Sequence, residues 1–400
     1  MQRAIRTCLM RGGTSKGVFL RAADLPPPGP QRDRVVLRLF GSPDPRQIDG
    51  LGGADTLTSK LAILGPPSVP GADVDYTFGQ VSFVEAQVDY KGNCGNISSA
   101  VGPFAVDKGL VPAPQPGEAS RLVRIHNTNT GAVLQATVQV GQGHDGCTGA
   151  RVEGDVEVDG VPGTSAAVDL DFSATQGSVT GRLLPSGRLC ETLAVDAEDG
   201  SGEEQLEVTL LDAGQPLVFV AASELLPASW GLLEEGRMSS AAVARALEKD
   251  AGLLRRIERL RGAAAVRMGI VERWQDAERL SPYAPFVALV APPLEGSGCH
   301  FSSVCVFMQR VHKAYPVTGS VATAAAALLP GTVVAAACKG AALPLAAAVR
   351  ISHPSGTMEV DTAVRAGAEP ALLKAAMRRT ARCLMDGQAY VPWSVWPLES

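Results

Sequence analysis

Apolar and polar positions along the chain fall into many short runs punctuated by Gly, Pro, Asn and Asp. Alternation with a period of two predicts two strands over residues 74–88, then strands at 122–125, 133–140 and 152–158, the last closed by Asp159-Gly160. A second series follows at 206–211, 217–220, 286–290 and 303–309, with a final strand near 389–391. Helical periodicity is confined to 33–40, stopped by Gly41-Ser42-Pro43, and to 239–262, with a weak point at Asp250-Ala251-Gly252. Two further stretches have no polar face at all. One runs from a Gly92-Asn93 turn, with Asn93 or Cys94 as helix cap, to a stop at Lys108-Gly109; Pro103 inside it predicts a kink or a break. The other spans 322–329 behind a polar glycine turn, Thr318-Gly319-Ser320, and ends at Pro330-Gly331. A helix apolar all round is a buried helix. The chain therefore repeats one plan, short strands around one buried helix, with halves expected at 1–187 and 188–400 and the last strand free to return to the first half.

Composition narrows the class. With 400 residues, 46% hydrophobic and 19% charged, the chain is long enough for two domains with real cores. A net charge of −5 without a basic tract argues against nucleic acid as the main partner. The cysteines Cys8, Cys94, Cys147, Cys190, Cys299, Cys305, Cys338 and Cys383 show no paired metal-ligand spacing, and Cys299-His300 lacks a second ligand pair. They read as reduced thiols of a cytoplasmic protein that binds no metal. The first ten residues carry no apolar signal segment, and the Ala-rich run 321–349 is interrupted by Pro330-Gly331, Lys339-Gly340 and Pro344, so it is a core segment and not a membrane span.

The chemistry starts at Cys94. Unpaired N–H groups and the positive end of the helix dipole favour an anion there, whether a thiolate or a bound carboxylate. A lone cysteine is ordinarily a small buried hydrophobe; the Gly92-Asn93 and Gly95-Asn96 pairs that bracket this one favour a site. Arg11-Gly12-Gly13-Thr14-Ser15-Lys16 forms a second candidate, a glycine loop with hydroxyls and cations, equally readable as a tight hairpin turn and not spaced as a Walker loop. The third is Lys60, at the mouth of a strand behind Gly52-Gly53, Thr56, Thr58 and Ser59, where a lysine is as readily a solvated flank. Two half-proteins facing each other would aim two positive helix ends at one ligand, which suits a polycarboxylate.

Met10-Arg11-Gly12-Gly13-Thr14-Ser15-Lys16-Gly17, Gly41-Ser42-Pro43-Asp44, the 47–60 run, Asn93-Cys94-Gly95-Asn96, His353-Pro354-Ser355-Gly356 and Arg379-Thr380-Ala381-Arg382 together resemble the PrpF family of the diaminopimelate-epimerase-like fold, nearly end to end. The resemblance implies an α/β (α+β) fold of two similar domains, each a rolled, mostly antiparallel sheet around a central helix, with the active site between them. It implies a cofactor-independent isomerase of unsaturated di- and tricarboxylates (methylaconitate, aconitate, methylitaconate or 4-oxalomesaconate), with Cys94 and Lys60 as the catalytic pair. The position that holds a second cysteine in the wider fold's epimerases is Thr318 here, which favours a 1,3-proton shift over two-thiol racemisation.

On that reading Cys94 is the base, and Lys60 orients a carboxylate or returns the proton. Arg11, Gly12, Gly13, Thr14, Ser15, Lys16 and Ser59 line the substrate, with Gly95, Asn96, Thr318, Gly319 and Ser320 as donors from the helix ends. Two rivals remain: an amino-acid-type racemase or epimerase of the same fold, and a carboxylate-binding accessory protein without turnover. A homodimer is compatible with every one of these readings.

Overall fold

The computed structural model describes residues 1–90, 92–143, 146, 148–196, 202–338 and 342–397. The expectations placed on Lys91, Cys147 and Lys339-Gly340 lie outside them. Two compact units result: 1–170 with 378–400, and 171–377. The division thus lies upstream of 187/188. The segment that the proline and glycine punctuation assigns to the first half is bonded into the second: Asp212 N–H donates to Leu183 O, and the Asp212 carboxylate takes the N–H groups of Val179 and Thr180.

In the first unit, β1 (Gln2–Gly12) and β2 (Ser15–Arg21) form an antiparallel hairpin. Helix α1 (Pro30–Phe40) leads to β3 (Lys60–Gly65), which lies parallel to β2. β4 (Val74–Val81) runs antiparallel to β3, and β5 (Val88–Asp89) antiparallel to β4. After α2 (Gly95–Asp107) come β6 (Ser120–Asn127), parallel to β4, and β7 (Val133–Gln142), antiparallel to β6.

Both faces of the central strands are covered. α1 begins on a proline, ends on Gly41 in the left-handed region (φ 75°), and buries Val35, Val36, Leu39 and Phe40 against Val18, Leu20, Leu61 and Ile63. The other face meets α2, where Phe19 of β2 packs on Phe104. Residues 95–106 of α2 are buried without exception, and the helix runs on through Pro103 instead of breaking.

In the second unit, Glu203–Ala213 and Gln215–Ala221 are antiparallel, and the latter is parallel to Phe286–Ala291. Phe301–Phe307 is antiparallel to that strand and parallel to Ala346–His353, which is antiparallel to Gly356–Arg365. The expected helix over 239–262 is two helices, Ser240–Leu247 and Ala251–Arg267, because Asp250 caps the second by accepting from Leu253 N–H. The buried helix is Val317–Leu328, starting before 322: Ser320 and Thr323 satisfy their hydroxyls on Val317 O and Gly319 O, so the polar turn fits inside the helix.

The largest difference is the last strand. It covers Ala371–Pro392, not a few residues around 390; its first part pairs with Gly356–Arg365 in the second unit and its later part with β1 in the first. Among the described residues no helix is long and apolar enough to cross a membrane.

Candidate active site

Cys94 is the N-cap of α2, extended at φ −116° and ψ 99°, and its side chain makes no capping bond. Ser98 N–H is the first to find its acceptor in the helix, Cys94 O at 2.8 Å. The N–H groups of Gly95, Asn96 and Ile97 precede that point, where a helix has no carbonyl to offer them. The thiol is nearly buried, at 5% exposure. It stands close enough to Tyr76 to help push that phenol well above its ordinary range, although burial is the larger cause; Ser98 works weakly the other way.

Lys60 is the first residue of β3 and is also buried. Its Nζ donates to Gln80 Oε1 at 3.1 Å and lies 5.3 Å from the centre of the Phe78 ring. Among the described residues no carboxylate pairs with it. Gln80 is itself held, its Nε2 donating to Ser59 O. An ammonium has three donors, so two remain for a ligand.

Register explains why these groups meet. Tyr76, Phe78 and Gln80 alternate along β4 opposite Leu64, Ala62 and Lys60, so all six share one face. On it the Tyr76 phenol feels the charge of Cys94, while Gln80 accepts from Lys60 and the Phe78 ring lies beside the ammonium.

The hairpin turn between β1 and β2 closes the same region. A side chain on Gly12 would put its Cβ 2.4 Å from Asn96 O, and one on Gly13 (φ 50°) 2.4 Å from Asn96 Oδ1. The glycines are there so that the turn can touch the first turn of α2. Thr14 N–H donates to Asn96 Oδ1 at 3.3 Å, and Gly13 N–H to Thr380 O at 2.9 Å. The hydroxyls of Thr14 and Ser15 are buried and unbonded.

Other expected ligand residues are placed differently. Arg11 Nη1 lies within donating distance of Gly13 O, Thr380 O and Thr380 Oγ1, and Nη2 donates to Ser165 Oγ, so this side chain pins the turn to the last strand. Burial depresses its pKa, and Arg382 adds to the effect. Lys16 is half-buried and alternates with Ser15 and Gly17, away from the α2 face. Ser59 donates its hydroxyl to Val81 O and accepts from Gln47 Nε2, leaving no donor for a substrate. In the second unit, Thr318 and Gly319 lie in the first turn of Val317–Leu328, whose N-cap is Pro316; Ser320 N–H bonds Pro316 O.

Sequence reasoning missed Tyr76, Phe78, Gln80 and Arg379. Burial, only partly offset by the charge of Asp159, brings the Arg379 guanidinium down to about 10; its Nη1 donates to Arg378 O, while Nε and Nη2 have no partner. The only hint of the strand residues was the apolar-polar alternation of β4. Among the described residues no group of His, Cys, Asp and Glu is arranged to hold a metal, and His300 Nδ1 instead accepts from Arg350 N–H.

Comparison with known proteins places the chain in a family. The family model described as PrpF protein matches residues 2–392. The 3-methylitaconate isomerase of Eubacterium barkeri is 41% identical, over 98% of each chain. The (4E)-oxalomesaconate Delta-isomerase of Novosphingobium sp. (strain KA1) is 40% identical over 96% of each, and the 2-methyl-aconitate isomerase of Shewanella oneidensis 37% over 96% of each. A crystal structure of methylitaconate-delta-isomerase superposes with a TM-score of 0.74 at 41% identity, covering 98% of this chain and 97% of that one. A hydroxyproline epimerase from Agrobacterium vitis, at 14% identity and TM-score 0.53 over 100% and 99% of the chains, shares the fold alone.

Proposed function

We propose, on the premise that the chain belongs to the PrpF family and is an isomerase, that it moves a C=C bond in an unsaturated di- or tricarboxylate by a 1,3-proton shift. Candidate substrates are of the methylitaconate, methylaconitate, aconitate and oxalomesaconate type. A proton leaves the carbon beside the double bond. Its electron pair becomes the new C=C, the old π pair moves onto the conjugated carboxylate, and the resulting dienolate is protonated at the far carbon. No step requires a cofactor.

Stabilising the dienolate oxygens is the largest demand of such a reaction. The N–H groups that open α2, the hydroxyls of Thr14 and Ser15, and the two remaining donors of Lys60 are suited to it. Cys94 as thiolate takes the proton, at the helix end where an anion is favoured. Lys60 holds the carboxylate in which the charge develops. We read the two units as copies of one plan, since their strands pair in the same order: antiparallel, parallel, antiparallel, parallel, antiparallel.

The observation that carries the reading is the β4 face, where Gln80 and Phe78 hold the Lys60 ammonium and the Tyr76 phenol feels the charge of Cys94. Proton NMR in D₂O with the four acids tests it. Wild type should incorporate deuterium and migrate the double bond in at least one; Cys94→Ser should be slower by about 10²- to 10⁴-fold, the usual contribution of a positioned base. If no acid exchanges, the isomerase assignment falls. If Cys94→Ser exchanges at the wild-type rate, only the base is misassigned.

A further inference from the structure

Arg379 stands apart from every other arginine near the turn. It is 6% exposed, and the aliphatic part of its side chain packs against Gly13, where a Cβ would lie 3.6 Å from its Cδ. Of its guanidinium nitrogens only Nη1 is bonded, to Arg378 O at 3.0 Å. Nε and Nη2 are buried and donate to nothing; the Asp159 carboxylate acts on the group through its charge, without a hydrogen bond to either nitrogen. By contrast Arg378, the preceding residue, reaches out to Asp169 at 2.7 Å, and Arg11 is bonded into the backbone.

The position of the unbonded nitrogens matters. Nη1 lies on the Cδ side of the guanidinium plane; Nε–H and Nη2–H point together along the opposite edge. That edge is the side-on fork that matches the two oxygens of a carboxylate. A buried cation with two unmade bonds is unfavourable in the empty protein and becomes favourable once an anion arrives. The unbonded Thr14 and Ser15 hydroxyls follow directly after Gly13, so unsatisfied donors collect around this one turn.

We propose that Arg379 binds a substrate carboxylate, side-on through Nε and Nη2, and that this carboxylate is distinct from the one held by Lys60. The inference deepens the isomerase reading and rests on it. It also names a requirement of the substrate class: at least two carboxylates, one conjugated with the migrating double bond and one not.

Equilibrium binding of propane-1,2,3-tricarboxylate, which cannot isomerise, tests the inference without turnover. Titrations of wild type, Arg379→Met and Arg379→Lys are compared with titrations of glutarate and methylsuccinate, each lacking one carboxylate. The expected result is a loss of roughly a hundredfold or more in tricarboxylate affinity for Arg379→Met, as for a truncated buried ion-pair partner. Arg379→Lys should recover part of it, because it keeps the charge and loses the fork. The penalty should shrink for at least one diacid. The melting temperature of Arg379→Met should hold or rise, since a buried cation without its ligand does not stabilise the fold. Unchanged tricarboxylate affinity in Arg379→Met overturns the inference. So does an equal loss for all three acids accompanied by a lower melting temperature, which marks a structural role. A wild type that turns over none of the unsaturated acids removes the isomerase reading, while the titrations still decide whether Arg379 holds a carboxylate.

Discussion

At the scale of single residues, burial that the charge of Asp159 only partly offsets makes Arg379 titrate where an arginine ordinarily does not. Its pKa is brought down to about 10, burial being the main cause. The sign of the effect follows from which form the ligand needs. A carboxylate pairs with the charged guanidinium, present below that pKa, so tricarboxylate affinity should be level up to about pH 9 and fall as pH rises through 10. Arg379→Met lacks this group and should show a weaker affinity without that part of the fall; titrations of the two proteins from pH 7 to 10.5 give the difference. Cys94 and Lys60 were readable as candidates because glycines, asparagines and hydroxyls crowd around them. Tyr76, Phe78, Gln80 and Arg379 were not. The first three are ordinary alternate positions of a strand, and only the register of β3 on β4 gives them a common object. Arg379 is indistinguishable from Arg378 and Arg382 until the last strand has turned those two outward and this one in. Ser59 shows the converse: a hydroxyl beside Lys60 in the sequence serves Val81 and Gln47 in the fold.

At the scale of elements, α2 was legible from its lack of charge, its Cys94 cap and its Lys108-Gly109 end. Its continuity was not, because propensity alone puts a penalty of about 3 kcal/mol on an interior proline. Packing on every side outweighs that penalty, as it commonly does for a tertiary helix. The same numbers yield an outcome for Pro103→Ala. The substitution removes the penalty and supplies an N–H whose natural acceptor is Ser99 O, four residues back. Against it stand two lost buried methylenes at about 0.8 kcal/mol each. The balance is a stabilisation of about 1.5 kcal/mol, readable as a raised urea midpoint, with isomerase activity unchanged because the site gathers at the other end of the helix. A lowered midpoint would mean that packing around the pyrrolidine ring is worth more than the helix penalty. The last strand was the least legible element, since Arg378-Arg379-Thr380-Ala381-Arg382 has no apolar alternation to announce it; its pairing with β1 is what makes it extended.

At the scale of the whole molecule, the two units share an order of strand pairing but not the chemistry at the start of their buried helices. The first unit's helix opens on Cys94, the second's on Pro316-Val317-Thr318, with no thiol at any of these positions. Cys305, on a neighbouring strand of the second unit, is fully buried and its thiol is pushed far up by that burial. Racemisation at a saturated carbon needs a base on one face and a comparably acidic donor on the other, and a threonine hydroxyl is too weak an acid for that task. A 1,3-shift across a double bond asks less, because conjugation with the carboxylate acidifies the carbon and one group can take and return the proton on one face. The chain should therefore leave proline and 4-hydroxyproline untouched despite sharing its fold with a hydroxyproline epimerase. Prolonged incubation of either amino acid in D₂O should yield neither deuterium at Cα nor loss of optical rotation, under conditions in which an unsaturated tricarboxylate exchanges fully. Deuterium at Cα of proline would show that a second acid-base group, absent from the residues named here, completes a racemase.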